Sequence, residues 1–451
     1  MKRDGNSFLE KNKDLVQLSN GEQKIYFVGG AVRDLVLGRE NKDVDLLCEK
    51  ETFKVARQWA AMNHGSFFVL DDERGTARVI LNQNGNKQVY DFARQQGETL
   101  LDDLSSRDFT INAMAIDLGD LETIIDPLGG QNDLLVHTLR SCSESSFCID
   151  PVRVIRAFRY SAAYDLQVSE ITRKFLREAI PGLDAISPER KRDEFFKLLD
   201  LDDPVPAIVQ MSNENILRHL EIPETNKEEY GVASSIALIS NEKEAFENLI
   251  AGESLQGLFH QYFESLRIRN SSDRNLRQLL LFFSLVMDSE IESIERISQQ
   301  LLLTNDEIQH VSILARNRTE TLSLFSKGER ITRRELYQYF NRTNSAGLDL
   351  CLITIAEANN KQQMPLILSA TEKIFDAWFN HSEIVTPLPL LSGKDLMFDY
   401  DLTPGPVIGK LLGLLKEEQA AGVIMDRQQA EEWLEPIVNS IKNQNYWESH
   451  A

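Results

Sequence analysis

The chain has 451 residues, 42% of them apolar, and a formal net charge of −21. That length suits two to four domains or a long repeat-like helical body, and the apolar fraction is enough to bury a core. No run of 18 uncharged apolar residues is present, the four cysteines (Cys48, Cys142, Cys148, Cys351) form no C-x-x-C pair, and acids exceed bases. These features argue against a membrane span, a zinc or disulfide framework, and a protein that binds nucleic acid over its whole surface. The opening MKRDGNSFLEKNKD has no apolar stretch of the kind that marks a secretory signal, so the expected location is the cytoplasm.

Residues 1–24 read as a polar extension, a short helix or an ordered tail. The stretch from Ile25 to Leu47 carries the first chemistry. Ile25–Val28 is a strand-like apolar run, Gly29 and Gly30 make a turn, and AVRDLVLG has helical spacing and stops at Gly38. Asp43 and Asp45 then stand at i and i+2 before Leu46 and Leu47. In a strand these two share a face, about 7 Å apart. Paired carboxylates repel unless a cation neutralises them, and hard cations such as Mg²⁺ prefer carboxylate oxygens. Glycines at a strand-to-helix turn let backbone N–H groups approach a phosphate. Arg33, in the first helical turn, can reach the same anion. The whole reads as a site for a metal-bound triphosphate, built without the G-x-x-x-x-G-K-[ST] loop.

ETFKVARQWAAMNH follows as a helix, and then three strands, Phe67–Leu70, Thr76–Leu81 and Gln88–Phe92, with Asn84-Gly85 as a hairpin signal. Asp91, in the third strand, is read either as a third metal carboxylate or as a strand-end Asp. Next come LLDDLSSRDFTINAMAIDL and IIDPLGGQNDLLVHTLR, the second read as a structural turn. In IDPVRVIRAFRYSAAYDL, Asp150, Arg153, Arg156 and Arg159 recur at i+3 steps along one helix face. That is either an ion-paired surface stripe or a base reader, in which the Asp accepts from an exocyclic amine while the Arg donates to a ring nitrogen or carbonyl. ISPERKRDEFFKLL reads as a helix capped by Ser187 with Pro188 at its first position. Its Arg190 and Arg192 either shape the site or pair with Glu189 and Glu194. From about residue 205 the pattern is helical and acidic, with an apolar core helix at Leu276–Glu290. Arg316–Arg342 holds seven Arg or Lys against three Glu, either a solvated face or an RNA-facing strip. Ser392-Gly393-Lys394 and Pro404-Gly405-Pro406 punctuate two tail helices. Lys394 and Lys410 lie near a glycine-rich helix start, which reads as an RNA-backbone contact or as a docking hairpin.

GGAVRDLVLG followed by DVD, an Arg-Asp pair ahead of FTINAMA, and Asp-x-x-Arg at Asp150–Arg153 together resemble the class II tRNA nucleotidyltransferase and bacterial poly(A) polymerase family, within the polymerase β-like superfamily. The resemblance is strong over residues 25–200, moderate over the last 65 and slight between. It implies an α+β fold: a small nucleotidyltransferase head with a mixed β-sheet, followed by an elongated all-α neck, body and tail. The expected division is extension 1–24, head 25–148, neck 149–205, body 206–345 and tail 346–451. It also implies template-independent addition to the tRNA 3′ end from CTP or ATP, with two Mg²⁺ ions on Asp43 and Asp45. Gly29, Gly30 and Arg33 would hold phosphate, Arg107 and Asp108 phosphate and ribose, and Asp150 and Arg153 the base, with Arg156 and Arg159 in support. Arg330, Arg333, Arg334 and Lys394 are candidate RNA contacts.

The sequence departs from the family pattern in three places. Ser106 stands where a first Arg is common, Ile149 where a Glu is usual, and Met287-Asp288 where some relatives carry a His-Asp phosphohydrolase pair, so no hydrolase is expected. Only 16 residues separate Asp91 from Asp108, a segment that looks shortened beside the flexible loop of CCA-adding members. By resemblance this points to addition of CC, with a separate A-adding enzyme completing the end. Full CCA addition, A-only addition, a poly(A) polymerase and a non-catalytic RNA-binding protein that kept the fold are the alternatives.

Overall fold

Ile25–Val28 is buried at all four positions and forms β1, the strand from which the first unit is built. In this computed structural model the described residues are 12–19, 23–39, 43–83, 86–223, 227–241, 253–266, 268, 274–358 and 363–442. The chain divides into two compact units, residues 1–201 with 206–219, and residues 202–205 with 220–451. The first unit holds the expected head, the expected neck up to residue 201 and residues 206–219 of the expected body; the second holds the rest.

In the first unit, β1 leads through Gly29 into α1 (Gly30–Leu37), which ends at left-handed Gly38 as the sequence indicates. β2 (Asp43–Cys48) and α2 (Thr52–Met62) follow, then β3 (Ser66–Asp71), β4 (Thr76–Gln83) and β5 (Asn86–Arg94), each longer than its apolar run. The Asn84-Gly85 turn lies outside the described residues, but Gln83 pairs with Asn86 across it. A short helix, α3 (Leu100–Ser106), precedes β6 (Ala115–Asp117) and β7 (Asp120–Ile125). The seven strands lie in the order β3-β4-β5-β2-β1-β6-β7. β2 and β5 run parallel and the other pairs antiparallel, which makes the sheet mixed. The parallel register sets Asp45 opposite Asp91. Tyr26, Val28, Leu47, Leu104, Ala113 and Ala115 form a core cluster on this sheet.

Helices complete the unit: α4 (Gly130–Leu135), α5 (Ser146–Ile149), α6 (Arg153–Tyr164), α7 (Glu170–Ala179) and α8 (Pro188–Leu199), with α9 (Val205–Asn213) at the boundary. Pro188 takes the first position of α8 as expected, but Ser187 makes no side-chain capping bond. At Gly130 a Cβ would collide with the Thr110 carbonyl, and Asp133 of the same helix accepts from the Thr110 hydroxyl at 2.5 Å. DPLGGQNDL therefore props the RDFTIN segment from behind.

The second unit is helical throughout its described residues. It comprises α10 (Lys227–Asn241), α11 (Glu253–Leu266), α12 (Leu276–Ser284), α13 (Ile291–Gln300), α14 (Asn305–Phe325), α15 (Arg333–Thr343), α16 (Ala346–Glu357), α17 (Met364–Asn380), α18 (Ser382–Val385), α19 (Gly393–Asp399), α20 (Pro406–Ala420) and α21 (Arg427–Lys442). The expected core helix is α12, buried from Arg277 to its end at Ser284. Leu396, Ile408, Leu411, Leu415, Leu434 and Val438 pack α19, α20 and α21 together.

Candidate active site

A cavity of about 660 Å³ in the first unit gathers residues from β1, β2, β5, α6, α8 and the RDFTIN segment. Gly29 opens it. Its φ of 65° with ψ of −130° is a conformation that only glycine adopts without strain. A Cβ there would stand 3.2 Å from Arg107 Nη1 and 3.3 Å from Asp45 Oδ2. The turn thus passes between a cation and a carboxylate, with Gly30 beginning α1 beside it.

Asp45 faces the cavity, while Asp43 starts β2 opposite Val89 and its side chain lies outside the described residues. Asp91 lines the cavity too, but Arg78 donates to both of its oxygens, at 2.7 and 2.8 Å. Its charge is therefore matched by Arg78, which a metal ion bound there would have to displace. Among the described residues no three His, Cys, Asp or Glu side chains converge on one point. Carboxylates beside a phosphate-sized turn nevertheless fit Mg²⁺, which is held by one or two carboxylates with substrate phosphates and water rather than by a closed protein cage.

Asp108 is buried at the back of the cavity. Its Oδ1 accepts from the Phe109 amide at 2.8 Å and from Asn112 Nδ2 at 3.0 Å, and its Oδ2 accepts from Arg156 Nε and Nη2 at 2.9 and 2.7 Å. Burial alone would raise its pKa, but Arg156 and the donors from Asn112 and Phe109 bring it below the usual carboxylate range. Arg156 also donates to Glu194 at 3.1 Å. Glu194 accepts from Arg159 at 3.0 Å and Lys197 at 3.1 Å. Its burial is outweighed by these cations, first Arg159 and then Arg156, which take its pKa down to about 2. One network thus runs from the head residue Asp108 through α6 to α8. Arg107, next to Asp108, is held by two bonds to Asp103, and its Nη1 approaches the Asn112 carbonyl at 3.4 Å.

Asp150 lies just after α5, and α6 begins at Arg153. The two side chains line the cavity 4.0 Å apart. Arg153 donates to the Ser106, Arg107 and Ser146 carbonyls and to Ser146 Oγ. Arg190 of α8 donates to both Asp150 oxygens, at 3.0 and 2.8 Å.

Arg33 lies beside the turn, its Nη2 3.3 Å from where a Gly30 Cβ would stand. It does not line the cavity: its Nη1 donates to Asn112 Oδ1 at 2.6 Å, its Nε donates to Asp34, and its guanidinium stacks over Tyr164 at 4.2 Å. Burial works against its charge, but Asp34 and the two tyrosines lift its pKa above the ordinary arginine value. Its side chain ties α1 to Asn112. Arg159 likewise turns to Glu194 and the Tyr160 ring. Asn112, Arg190 and Glu194 are the residues that motif reading left out or left undecided. Asn112 stood in plain view within FTINAMA, but its bonds to Arg33 and Asp108 are not written in spacing.

A CC-adding tRNA nucleotidyltransferase of Geobacter sulfurreducens is 30% identical over 423 residues, covering 91% of each chain. The chain belongs to the tRNA nucleotidyltransferase family. An A-adding tRNA nucleotidyltransferase of Deinococcus radiodurans is 29% identical over 434 residues, covering 89% of this chain and 93% of that one. Residues 25–140 match the poly A polymerase head domain, 165–228 the RNA and SrmB-binding site of polymerase A, and 274–433 tRNA nucleotidyltransferase domain 2. The fold is that of a CCA-adding enzyme solved in its apo form, with a TM-score of 0.69 at 21% identity over 98% of this chain and 96% of that one.

In the second unit of this tRNA nucleotidyltransferase, the basic run has largely been neutralised. Arg316 pairs with Glu295, Arg318 with Asp288 and Glu357, Lys327 with Glu335, and Arg342 with Glu320. Arg333 reaches Glu383 at 3.5 Å and the Ala420 carbonyl at 3.0 Å, while Arg334 donates to Glu417 and Glu418 of α20. The hydrogen bond to Glu418 is the chief reason that the Arg334 pKa lies above its ordinary value. Arg330 bonds the Lys327 carbonyl, and Lys394 is exposed in the first turn of α19. No described helix is long and apolar enough to cross a membrane.

Proposed function

We propose that this enzyme adds CC to the 3′ end of tRNA from CTP in the cytoplasm and leaves the terminal A to a separate enzyme. The observation that carries the reading is the short connection from β5 to the Arg107-Asp108 pair. Five residues, Gln95 to Thr99, lead into α3, which Thr99 and Asp102 close with a reciprocal cap. Asp103 then ties both ends down, accepting from the Gln96 amide and from Arg107. A segment held this way leaves no long flexible loop to re-form the pocket from C to A.

The chemistry is transfer of CMP. The tRNA 3′-oxygen bonds to the α-phosphorus, the α–β P–O bond breaks, and pyrophosphate leaves with the electron pair while the 3′-OH gives up its proton. Asp43 and Asp45 would hold two Mg²⁺ ions, which supply activation of the hydroxyl and neutralisation of the leaving charge. Gly29 and Gly30 offer backbone N–H groups to the triphosphate, and Arg107 adds a cation beside them. Asp108, kept ionised by Arg156, would accept from the ribose hydroxyls in place of a donor that it now holds. Asp150 accepts from the cytosine amine and Arg153 donates to the ring, so the protein itself stands in for a template. Arg330 and Lys394 contact RNA backbone from the second unit.

The test is incorporation onto tRNA transcripts ending before the tail, after C and after CC, each given CTP, ATP or both with Mg²⁺. Product stopping at CC, with no A added to the CC-ended transcript, is the expected result. A complete CCA end would overturn the short-connection argument, addition of A alone to the CC-ended transcript would match the Deinococcus relative, and a long A ladder would indicate a poly(A) polymerase.

A further inference from the structure

The residue that touches Asp150 most closely belongs to neither α5 nor α6. Arg190, 40 residues further on in α8, places a single nitrogen, Nη2, between the two Asp150 oxygens. Asp150 stands where α5 ends, at φ −144° and ψ 88°. Four acceptors around Ser106, Arg107 and Ser146 fix the Arg153 guanidinium. The Arg153 donor and the Asp150 acceptor are 4.0 Å apart. At that separation opposite charges attract, which draws the carboxylate toward Arg153 Nε. A closed Asp150–Arg153 pair would satisfy itself and offer neither acceptor nor donor to a base. Arg190 draws the carboxylate the other way. A carboxylate has about four lone-pair positions, so one donor shared by its two oxygens leaves sites for an incoming amine. Ile149, beside Asp150, is 70% exposed and has no polar group to do this.

We propose that Arg190 is a specificity-determining positioning residue. It holds Asp150 away from Arg153, so that one accepts and the other donates along the edge of the incoming pyrimidine. The inference rests on the base-reading roles proposed for Asp150 and Arg153. It assigns Arg190 the choice of base rather than the transfer step, because Arg190 sits at the carboxylate that meets the exocyclic amine and has no part in the Asp45–Gly29 end of the cavity.

The experiment compares Arg190→Ala, Arg190→Lys and Asp150→Ala with the parent, measuring kcat/KM for CTP and for UTP on one tRNA. Uracil carries a carbonyl where cytosine carries the amine, so the CTP/UTP ratio reports the acceptor. Arg190 is half exposed, and melting curves confirm that each variant folds. Arg190→Ala is expected to lower the CTP/UTP ratio about tenfold or more, the scale of one lost base contact, with the KM for tRNA unchanged. Arg190→Lys, which keeps a single donor, should restore most of the ratio. If Arg190→Ala keeps the ratio within twofold while Asp150→Ala loses it, Arg190 is only a surface ion pair and the inference fails. If Asp150→Ala also keeps the ratio, the base-reading roles themselves are wrong and the inference falls with them.

Discussion

Two helices in this protein carry three arginines each and place them differently. α6 carries Arg153, Arg156 and Arg159, and α15 carries Arg333, Arg334 and Arg342. Arg156 and Arg159 of α6 converge on carboxylates that are nearly buried, Asp108 and Glu194 at 7% and 8% side-chain exposure, which join one helix to another and to the head. Of the α15 arginines, Arg333 and Arg342 meet glutamates at the surface, 55% exposed at Glu383 and 64% at Glu320, while Arg334 meets Glu417 and Glu418 at 22% and 17%. A buried carboxylate must be matched or it destabilises the fold, so its partner's position is enforced. A surface pair contributes little and can be exchanged for water or phosphate. Arginine count therefore does not separate the two helices; the burial of the carboxylates they meet does.

The cavity should respond to change far more than the strip, and the largest response is expected at the carboxylates. Replacing Asp43 and Asp45 together with Ala should lower CMP transfer by about 10³-fold or more, since a metal ion supplies several kcal/mol of transition-state stabilisation and each 1.36 kcal/mol is tenfold. Binding of tRNA, read by gel shift, should stay within a few-fold. Surviving transfer would mean that the metal site has been placed wrongly.

Next is Gly29→Ala. The backbone strain costs about 1–3 kcal/mol, and the added methyl presses on both Arg107 and Asp45. Melting should drop accordingly, and kcat should fall by about 10- to 100-fold, as for loss of a supporting contact at a metal site. Parent-like values for both would show that the turn is roomier than its geometry indicates.

Glu194→Gln tests the buried network. Its folded-state pKa of about 2 lies below the ordinary 4.5. Its contribution to stability is therefore whole above about pH 4.5 and is lost as the pH falls toward 2. The variant should be destabilised at pH 7 by about 3 kcal/mol, the usual scale for breaking a buried ion pair. It should also show a flatter dependence of melting temperature on pH between 4.5 and 2. Parallel curves for the two proteins would remove Glu194 from the network.

The smallest effect belongs to the strip. Arg334→Ala should change stability by no more than about 1 kcal/mol, and tRNA affinity by less than about threefold, because Glu417 and Glu418 already cancel its charge. A tenfold loss of affinity, steep in salt, would make α15 an RNA contact after all and erase the contrast with α6.

Residues picked out by short motifs are brought together in space. Gly29, Gly30, Asp45, Arg107, Asp108, Asp150 and Arg153 all sit within short motifs, and all line one cavity. Spacing does not show which distant partner a side chain takes. Arg33 has the right place in α1 to meet a phosphate, but Asn112, 79 residues away, and the Tyr164 ring take its guanidinium. Arg190 had two near glutamates to pair with and pairs instead with Asp150. Arg333 and Arg334 meet acids of α18 and α20 that their own stretch does not contain. Elements were legible because periodicity is local as well; their ends were not, since strands such as β5 run on past the apolar residues while a neighbour keeps pairing with them.

The bond between Arg156 and Asp108 spans 48 residues and joins the head to α6. A chain cut short at residue 140 lacks Arg156, α6 and α8, and its Asp108 keeps only the Phe109 and Asn112 donors. Limited proteolysis should find that head more easily cleaved than the same residues in the full protein, and equal resistance would show that the head closes without the neck.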